Sequence, residues 1–329
     1  MFEFTSISNN KFLKFISDKK ISANLLKIVI SAGFLCYILL KVNFSKIFIT
    51  FERANPSLAL TALGLTSLNL YLPFKKWQTA CIKFLQSNDK KKIWISLLYG
   101  IAAGSFTPVR VGEFFGRSIE FRDKSLLQVT FATLVDKFFL LFVISFFGSI
   151  SCIVFLRYYY NAPVYLVLLL ILIILAIFYF LLLIIFKPIT RKDAIIKRLQ
   201  SSKIINSLKE KLGDFKRLEA QFTIKMIVIS ALFYAVFIIQ YAILVCAFSA
   251  GTDFFMFLWA GVMVMFVKSV ITPFSFIDFG VREGASIFFL TKMGQLSTVA
   301  FDASAVLFFI NIIIPSSIGV ILFYKRNNA

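Results

Sequence analysis

The chain has 329 residues, 59% of them hydrophobic with 42 Phe, only 16% charged, and a formal net charge of +20. That much apolar side chain exceeds what a soluble domain of this length buries, and it falls in blocks rather than at a 3.6-residue period. A nucleic-acid reading of the charge is excluded because Lys and Arg sit between apolar blocks, where they orient the chain and attract anionic headgroups.

The chain therefore reads as an all-α, polytopic integral membrane bundle of about eight helical segments, since backbone in lipid must satisfy itself within a helix. There is no His, and Cys36, Cys81, Cys152 and Cys246 show no CxxC spacing. The usual zinc, haem and thiol-redox sites are thereby removed, and neither metal nor cofactor is expected. Residues 1–24 form a basic segment with Phe2, Phe4, Phe12 and Phe15 interleaved, which reads equally as an interfacial helix or a frayed cytoplasmic tail. The apolar run after it lacks a small-residue cleavage site, so no cleaved signal peptide is expected.

Spans are predicted over 25–42, 57–74, 126–156, 162–186, 226–250 and 299–323. Segment 162–186 carries no charge and, at ~1.5 Å per residue, exceeds the ~30 Å hydrocarbon core, which predicts a tilted span. Two shorter apolar segments, 93–107 and 254–272, run into Pro- and Gly-containing stretches. The chain thus divides into a first transmembrane half, 25–186, a basic loop, 187–225, and a second half, 226–329. That loop carries eleven Lys/Arg against four acids. Its Leu199, Ile204, Ile205, Leu208 and Leu212 suit a docked partner or a lipid surface, against the plainer reading of a solvated orientation signal.

The Lys/Arg distribution puts both termini in the cytoplasm and the chain in the cell inner membrane. Segment 75–92 is then inside and 157–161 outside, so 93–125 must enter from the cytoplasm and return to it. Likewise 254–298 must enter from outside and return there, although 254–272 is long enough to span fully. Two re-entrant hairpins, one from each face, are the expectation.

The hairpins share a motif. Thr107-Pro108-Val109-Arg110-Val111-Gly112-Glu113 leads to Arg117, and Thr272-Pro273 leads through Asp278 and Gly280 to Arg282-Glu283. Pro108 and Pro273 interrupt a helix, and Gly112 and Gly280 tolerate the turn that follows. Broken helices in an inverted repeat are how many transporters build a site at the bilayer midplane. Helix N-termini at the breaks attract anions, and Arg110, Arg117 and Arg282 suit bidentate phosphate recognition. Glu113 and Arg117, four apart, share a helix face and can pair; Glu283 has Arg282 or an arginine of the other hairpin as partner. The plainer alternative is a structural ion pair, or an interfacial one beside Glu120, Arg122, Asp123 and Lys124. Asp136-Lys137 either snorkels at the cytoplasmic boundary or lies roughly 15 Å deep, facing the bundle interior. Asp302 and Asn311 are weaker candidates, and Pro315 is expected to kink the last helix.

At these motifs the chain resembles the transmembrane region of the lysylphosphatidylglycerol synthase family, the flippase-like domain also found as stand-alone proteins. Pro108, Gly112-Glu113 and Arg117, then Asp136-Lys137, Pro273, Gly280-Val281-Arg282-Glu283 and Asn311 with Pro315 carry the resemblance, over about 20–325. It implies a helical bundle that moves an aminoacylated phospholipid between leaflets. No aminoacyl-transferase or glycosyltransferase domain accompanies it in this sequence, and 274–279 departs from the Gly-rich run of relatives.

The leading expectation is a transporter-like lipid translocase, not an enzyme, acting on a membrane phospholipid or a polyprenyl-phosphate lipid. Its substrate-binding residues would be Arg110, Glu113, Arg117, Asp136, Lys137, Arg282 and Glu283. The alternatives are a membrane-embedded transferase, against which stand the missing His and DxD, and a non-catalytic partner of an envelope assembly complex. A homo-oligomer fits either.

Overall fold

Asn55 opens the first described helix: its side-chain oxygen accepts from the backbone N–H of Ser57 (3.0 Å) and Leu58 (3.4 Å), and Pro56 follows where no N–H is needed. The structure is a computed structural model and describes residues 52, 54–105, 107, 110–186, 220–249, 251, 253–271 and 278–327. The N-terminal segment, the predicted span 25–42, most of the loop 187–225, Pro108 and Pro273 lie outside the described residues.

Helix α1 covers Pro56–Ala80 and continues as a π-helical turn, Cys81–Leu85. Helices α2 (Lys90–Ser105) and α3 (Gly112–Ser118) pack as the first hairpin. Helix α4, Leu126–Tyr160, starts with a capping box between Ser125 and Gln128. It is followed by α5 (Val164–Phe186), α6 (Ala220–Phe248) and α7 (Phe254–Ile271). Helix α8, Asp278–Lys292, pairs with α7 as the second hairpin. Helix α9, Ser297–Phe308, passes through a π-helical turn, Phe309–Ile313, into α10, Ile314–Asn327. Six of these helical stretches are long and apolar enough to cross a membrane.

Two boundaries differ from the sequence reading. Helix α1 does not stop at 74: Pro73 lies inside it, at the cost of one backbone donor, and the helix runs on to Ala80. Lys75 and Lys76 are therefore helical rather than part of a cytoplasmic loop. Helix α6 starts at Ala220, so 220–225 belongs to the second half and not to the basic loop. Pro315 sits just after the π turn, which widens the helix where a backbone donor is lost.

The hairpins approach α4 from opposite ends. The first begins and finishes beside the start of α4: Lys92 Nζ donates to Asp123 at 2.9 Å, and Arg326 pairs with Glu120. The Lys92 hydrogen bond holds the exposed Asp123 carboxyl below its usual range. The second begins and finishes beside the far end, where Trp259 meets Phe155, Tyr158 and Tyr159, and Lys292 lies 5.5 Å above the Tyr160 ring. Toward the middle of α4, Lys137 reaches Glu113 of the first hairpin and Gly148 packs on Phe266 of α7.

The core lies between α4, α6, α7, α8 and α9, around Tyr241, Leu244, Phe257, Met263 and Leu290. Helix α5 packs on α4 and leaves Leu166, Leu168, Leu169 and Leu172 exposed, a surface made for lipid. The first hairpin closes tightly because of its glycines. A Cβ on Gly112 would stand 2.3 Å from the Ala103 carbonyl oxygen, and one on Gly116 would stand 2.4 Å from that of Tyr99.

Candidate functional site: a charged cavity beside the first hairpin

Thr107 sets the first hairpin's turn. Its hydroxyl donates to the Ala103 carbonyl (2.9 Å) and accepts from the Gly112 N–H (2.7 Å), taking up one donor at the start of α3. Arg110 occupies the turn with φ +56°, a left-handed conformation that costs a non-glycine residue about 1–2 kcal/mol. From there α3 carries Glu113 and Arg117 on one face, toward Asp136 and Lys137 of α4.

Glu113, 4% exposed, is the hub. One carboxylate oxygen accepts from Arg117 at 2.8 Å; the other accepts from Lys137 at 2.6 Å and has the Arg110 Nε at 3.6 Å. Arg117 also donates to Asp136 at 3.0 Å and lays its guanidinium 4.3 Å from the Trp77 ring centroid. Lys76 stands 3.5 Å from the second Asp136 oxygen. Burying such charges is costly unless each finds an opposite charge, and this cluster supplies one to each.

The cluster forms one wall of a cavity of about 330 Å³. Leu97, Leu140, Ile144 and Phe237 line it on the apolar side, and Asn69, Asn311 and Lys268 add polar groups. Five cationic side chains (Lys76, Arg110, Arg117, Lys137 and Lys268) face two carboxylates (Glu113 and Asp136) among its lining residues. Such a surface can hold an anion, and its apolar walls can admit a group attached to hydrocarbon.

The second hairpin's charges form a separate cluster. Arg282 (1% exposed) donates to Glu283 (0%) at 2.7 Å, and its Nε donates to the Ser304 hydroxyl at 3.1 Å. Ser304 donates in turn to Glu283 at 3.2 Å, and the Gly280 N–H donates to the other Glu283 oxygen at 2.6 Å. Gly280 has φ +105°, where a side chain would be strained. The guanidinium lies 5.1 Å from the Phe308 ring centroid.

The structure therefore brings Arg110, Glu113, Arg117, Asp136 and Lys137 together and leaves Arg282 and Glu283 apart. Neither of the last two is among the cavity's described lining residues. Both hairpins line the cavity, the second through Met265, Lys268 and Ser269 of α7, but the expected share of Arg282 and Glu283 in it is corrected, because that pair turns into α9. Asp136 faces the interior rather than snorkelling, and the partner of Glu283 is Arg282. Asp302 is buried in α9, and Asn311 reaches the cavity from the π turn.

Lys76, Trp77, Asn69 and Lys268 were missed by the sequence reading. A signal for three of them existed: Thr66, Asn69, Pro73, Lys76 and Trp77 recur at three- and four-residue spacing, a polar stripe along an otherwise apolar helix.

The fold and cavity define a polytopic helical membrane protein with a cation-lined cavity between its helices. The chain matches the family described as Lysylphosphatidylglycerol synthase TM region over residues 24–319, and it belongs to that family. The comparison with curated proteins finds no match. Membership of this family connects the chain to membrane lipids.

Proposed function

We propose that the chain is a lipid translocase, moving a phosphate-bearing lipid between leaflets of the cytoplasmic membrane without chemistry on it. The observation that carries this reading is the cluster of Arg110, Arg117 and Lys137 around Glu113 at the wall of a cavity with apolar sides, roughly 15 Å along α4 from its start by the helical rise. An ionisable residue at membrane depth is costly and asks for a reason, and a site that exchanges one anion for another supplies it. A headgroup phosphate is an anion that Arg110 and Lys137 can hold in place of a carboxylate.

In this proposal the Ser125 end of α4, rich in Lys and Arg, faces the cytoplasm, and both termini lie there. The hairpins are re-entrant and enter from opposite leaflets, so each screens the cavity from one side. A phosphate displaces the Glu113 carboxylate from Arg110 and Lys137, with the acyl chains remaining in lipid. Release on the other side lets Glu113 take those cations back, so the empty cavity is never left with naked charge.

The test is purified protein in liposomes with fluorescent phospholipids and a membrane-impermeant quencher. Faster loss of inner-leaflet fluorescence than in empty vesicles is the expected result, with Lys137→Gln at least tenfold slower. Rates equal to empty vesicles across phospholipid and polyprenyl-phosphate probes would end this reading.

A further inference from the structure

Two five-residue stretches, far apart in the sequence, repeat one pattern. Asn69-Leu70-Tyr71-Leu72-Pro73 lies within α1, and Asn311-Ile312-Ile313-Ile314-Pro315 joins the π turn to α10. A proline four residues after an asparagine removes the N–H that an α-helix aims at that asparagine's carbonyl. At the second stretch the ladder is already widened, since the Ile314 N–H donates five residues back, to the Phe309 carbonyl. The two asparagine side chains go to one atom. Asn69 and Asn311 donate to the Gln240 side-chain oxygen at 2.5 and 2.7 Å. Gln240 of α6, fully buried, donates in turn to the Ala62 carbonyl (2.7 Å) and the Thr66 hydroxyl (3.0 Å). The two interruptions therefore lie at one level of the bundle, pinned to α6, and both stretches line the cavity.

Each helix changes partners at its interruption. Before Pro73, α1 packs on α6: besides the Gln240 bonds, the Asn55 N–H donates to the Ala247 carbonyl at 2.8 Å. After it, Phe74, Trp77 and Leu85 pack with Ile93 and Leu97 of the first hairpin. Before the second interruption, α9 packs on α6 and α8, with the Ser286 hydroxyl donating to the Ala300 carbonyl at 2.7 Å. After it, α10 packs on α2. Ser316 and Ser105 share a hydrogen bond of 2.8 Å, a Cβ on Gly319 would stand 2.5 Å from the Leu98 carbonyl oxygen, and Phe323 meets Tyr99 edge-on. The first hairpin, the end of α1 and α10 are thus one packed body. Helices α6 to α9 with the start of α1 are another.

We infer that the two Asn-x3-Pro stretches are paired hinges, about which the first body rocks against the second and opens the cavity. The inference rests on the translocase reading for what the motion serves, and on the division of packing for where it occurs. Hinges are a few residues at element ends that absorb the backbone change, and both stretches hold a fixed asparagine on one side and a freed ladder on the other. Helix α4 runs past both bodies without a proline, and Glu113–Lys137 and Arg117–Asp136 tie the first body to it. A phosphate that takes Lys137 from Glu113 releases one of these ties, which links occupancy of the cavity to rocking. Phe84 of the first body meets Phe222 of α6 edge-on, with ring centroids 5.7 Å apart, an apolar contact that can slide.

Hydrogen–deuterium exchange of the full chain in nanodiscs reads the hinges without any transport. Amides within 70–76 and 310–316 should exchange about tenfold faster than those within 60–66 and 300–306. Equal protection of all four stretches overturns the hinges while leaving translocation standing. Fast exchange at both stretches with no movement of fluorescent lipid in liposomes sinks the translocase reading alone. Pro73→Ala and Pro315→Ala restore a backbone donor and stiffen each helix. Each should melt at or above the temperature of the unmodified protein, lose the fast exchange at its own stretch, and move lipid about tenfold more slowly. Lower melting, or transport at the unmodified rate, makes the prolines fixed bends and overturns the proposal. A disulfide between Ser105→Cys and Ser316→Cys tests the division into bodies, with oxidised unmodified protein as control. It should leave transport within about twofold, because both ends travel together. A tenfold loss reversed by reductant shows that α10 and the first hairpin move against each other, which also overturns it.

Discussion

In the first hairpin, Glu113 and Arg117 stand at the wall of a cavity with Arg110, Lys137 and Lys76 around them. In the second, Arg282 and Glu283 are buried together, with Ser304 and the Gly280 N–H as further partners. The residue types are the same, but their surroundings assign them different work. A carboxylate whose oxygens are held by an adjacent arginine, a serine and a backbone N–H in the core has little to exchange. One that holds several cations at the edge of a cavity can hand some of them to an incoming anion and reclaim them later.

The sharpest way to break this comparison is to remove one member of the sealed pair. Glu283→Gln leaves Arg282 buried without a counter-charge and should cost about 3–5 kcal/mol, read as a large fall in melting temperature in detergent. Arg282→Met with Glu283→Met should recover much of that loss, because an apolar pair needs no compensation. If Glu283→Gln melts like the unmodified protein but stops lipid movement, the assignment of roles to the two hairpins is reversed.

Next in size is the packing of the first hairpin. Gly112→Ala drives a methyl against the Ala103 carbonyl and should cost about 1–3 kcal/mol, opening α2 from α3. Hydrogen exchange confined to that hairpin would register it. Lys137→Gln should slow lipid movement tenfold, about 1.4 kcal/mol in barrier, while shifting stability less than Glu283→Gln does. A variant equally damaged in both respects would show that the cavity cluster is structural too. The smallest effect belongs to the exposed clasp at the hairpin's mouth. The Asp123 carboxyl is held low by Lys92, so any contribution it makes is full above its unfolded value near pH 3.9. That contribution is lost only as pH falls through the lowered value. Asp123→Asn should therefore leave melting and transport at pH 7 within error.

The all-helical membrane class and the described spans were legible because apolar blocks are local features. The Glu113–Arg117 pair followed from a four-residue spacing. The Asp136 partner did not, since it depends on which face of α4 meets α3. Lys76 was lost for a different reason: counting charges past Pro73 assigns it to a loop, although helix α1 carries it into the core. The separation of Arg282 from the cavity was invisible for the same reason as the Asp136 contact. Two similar motifs suggested a shared chamber, and only the packing of α8 on α9 reveals that the second motif looks inward. The Gln240 network joins residues 171 and 71 positions apart, beyond the reach of any periodicity.

Helix α4 has 35 residues, about 52 Å from end to end by its rise, against roughly 30 Å of hydrocarbon. Even leaning by 40°, a rod of that length must project past the oily slab on one side or both, with the three tyrosines at 158–160 the natural stop. It thereby serves as a ruler against which bilayer thickness is read. Because the Glu113 hub is bolted to this rod through Lys137, thinner or thicker acyl layers would carry the cavity toward one leaflet or the other.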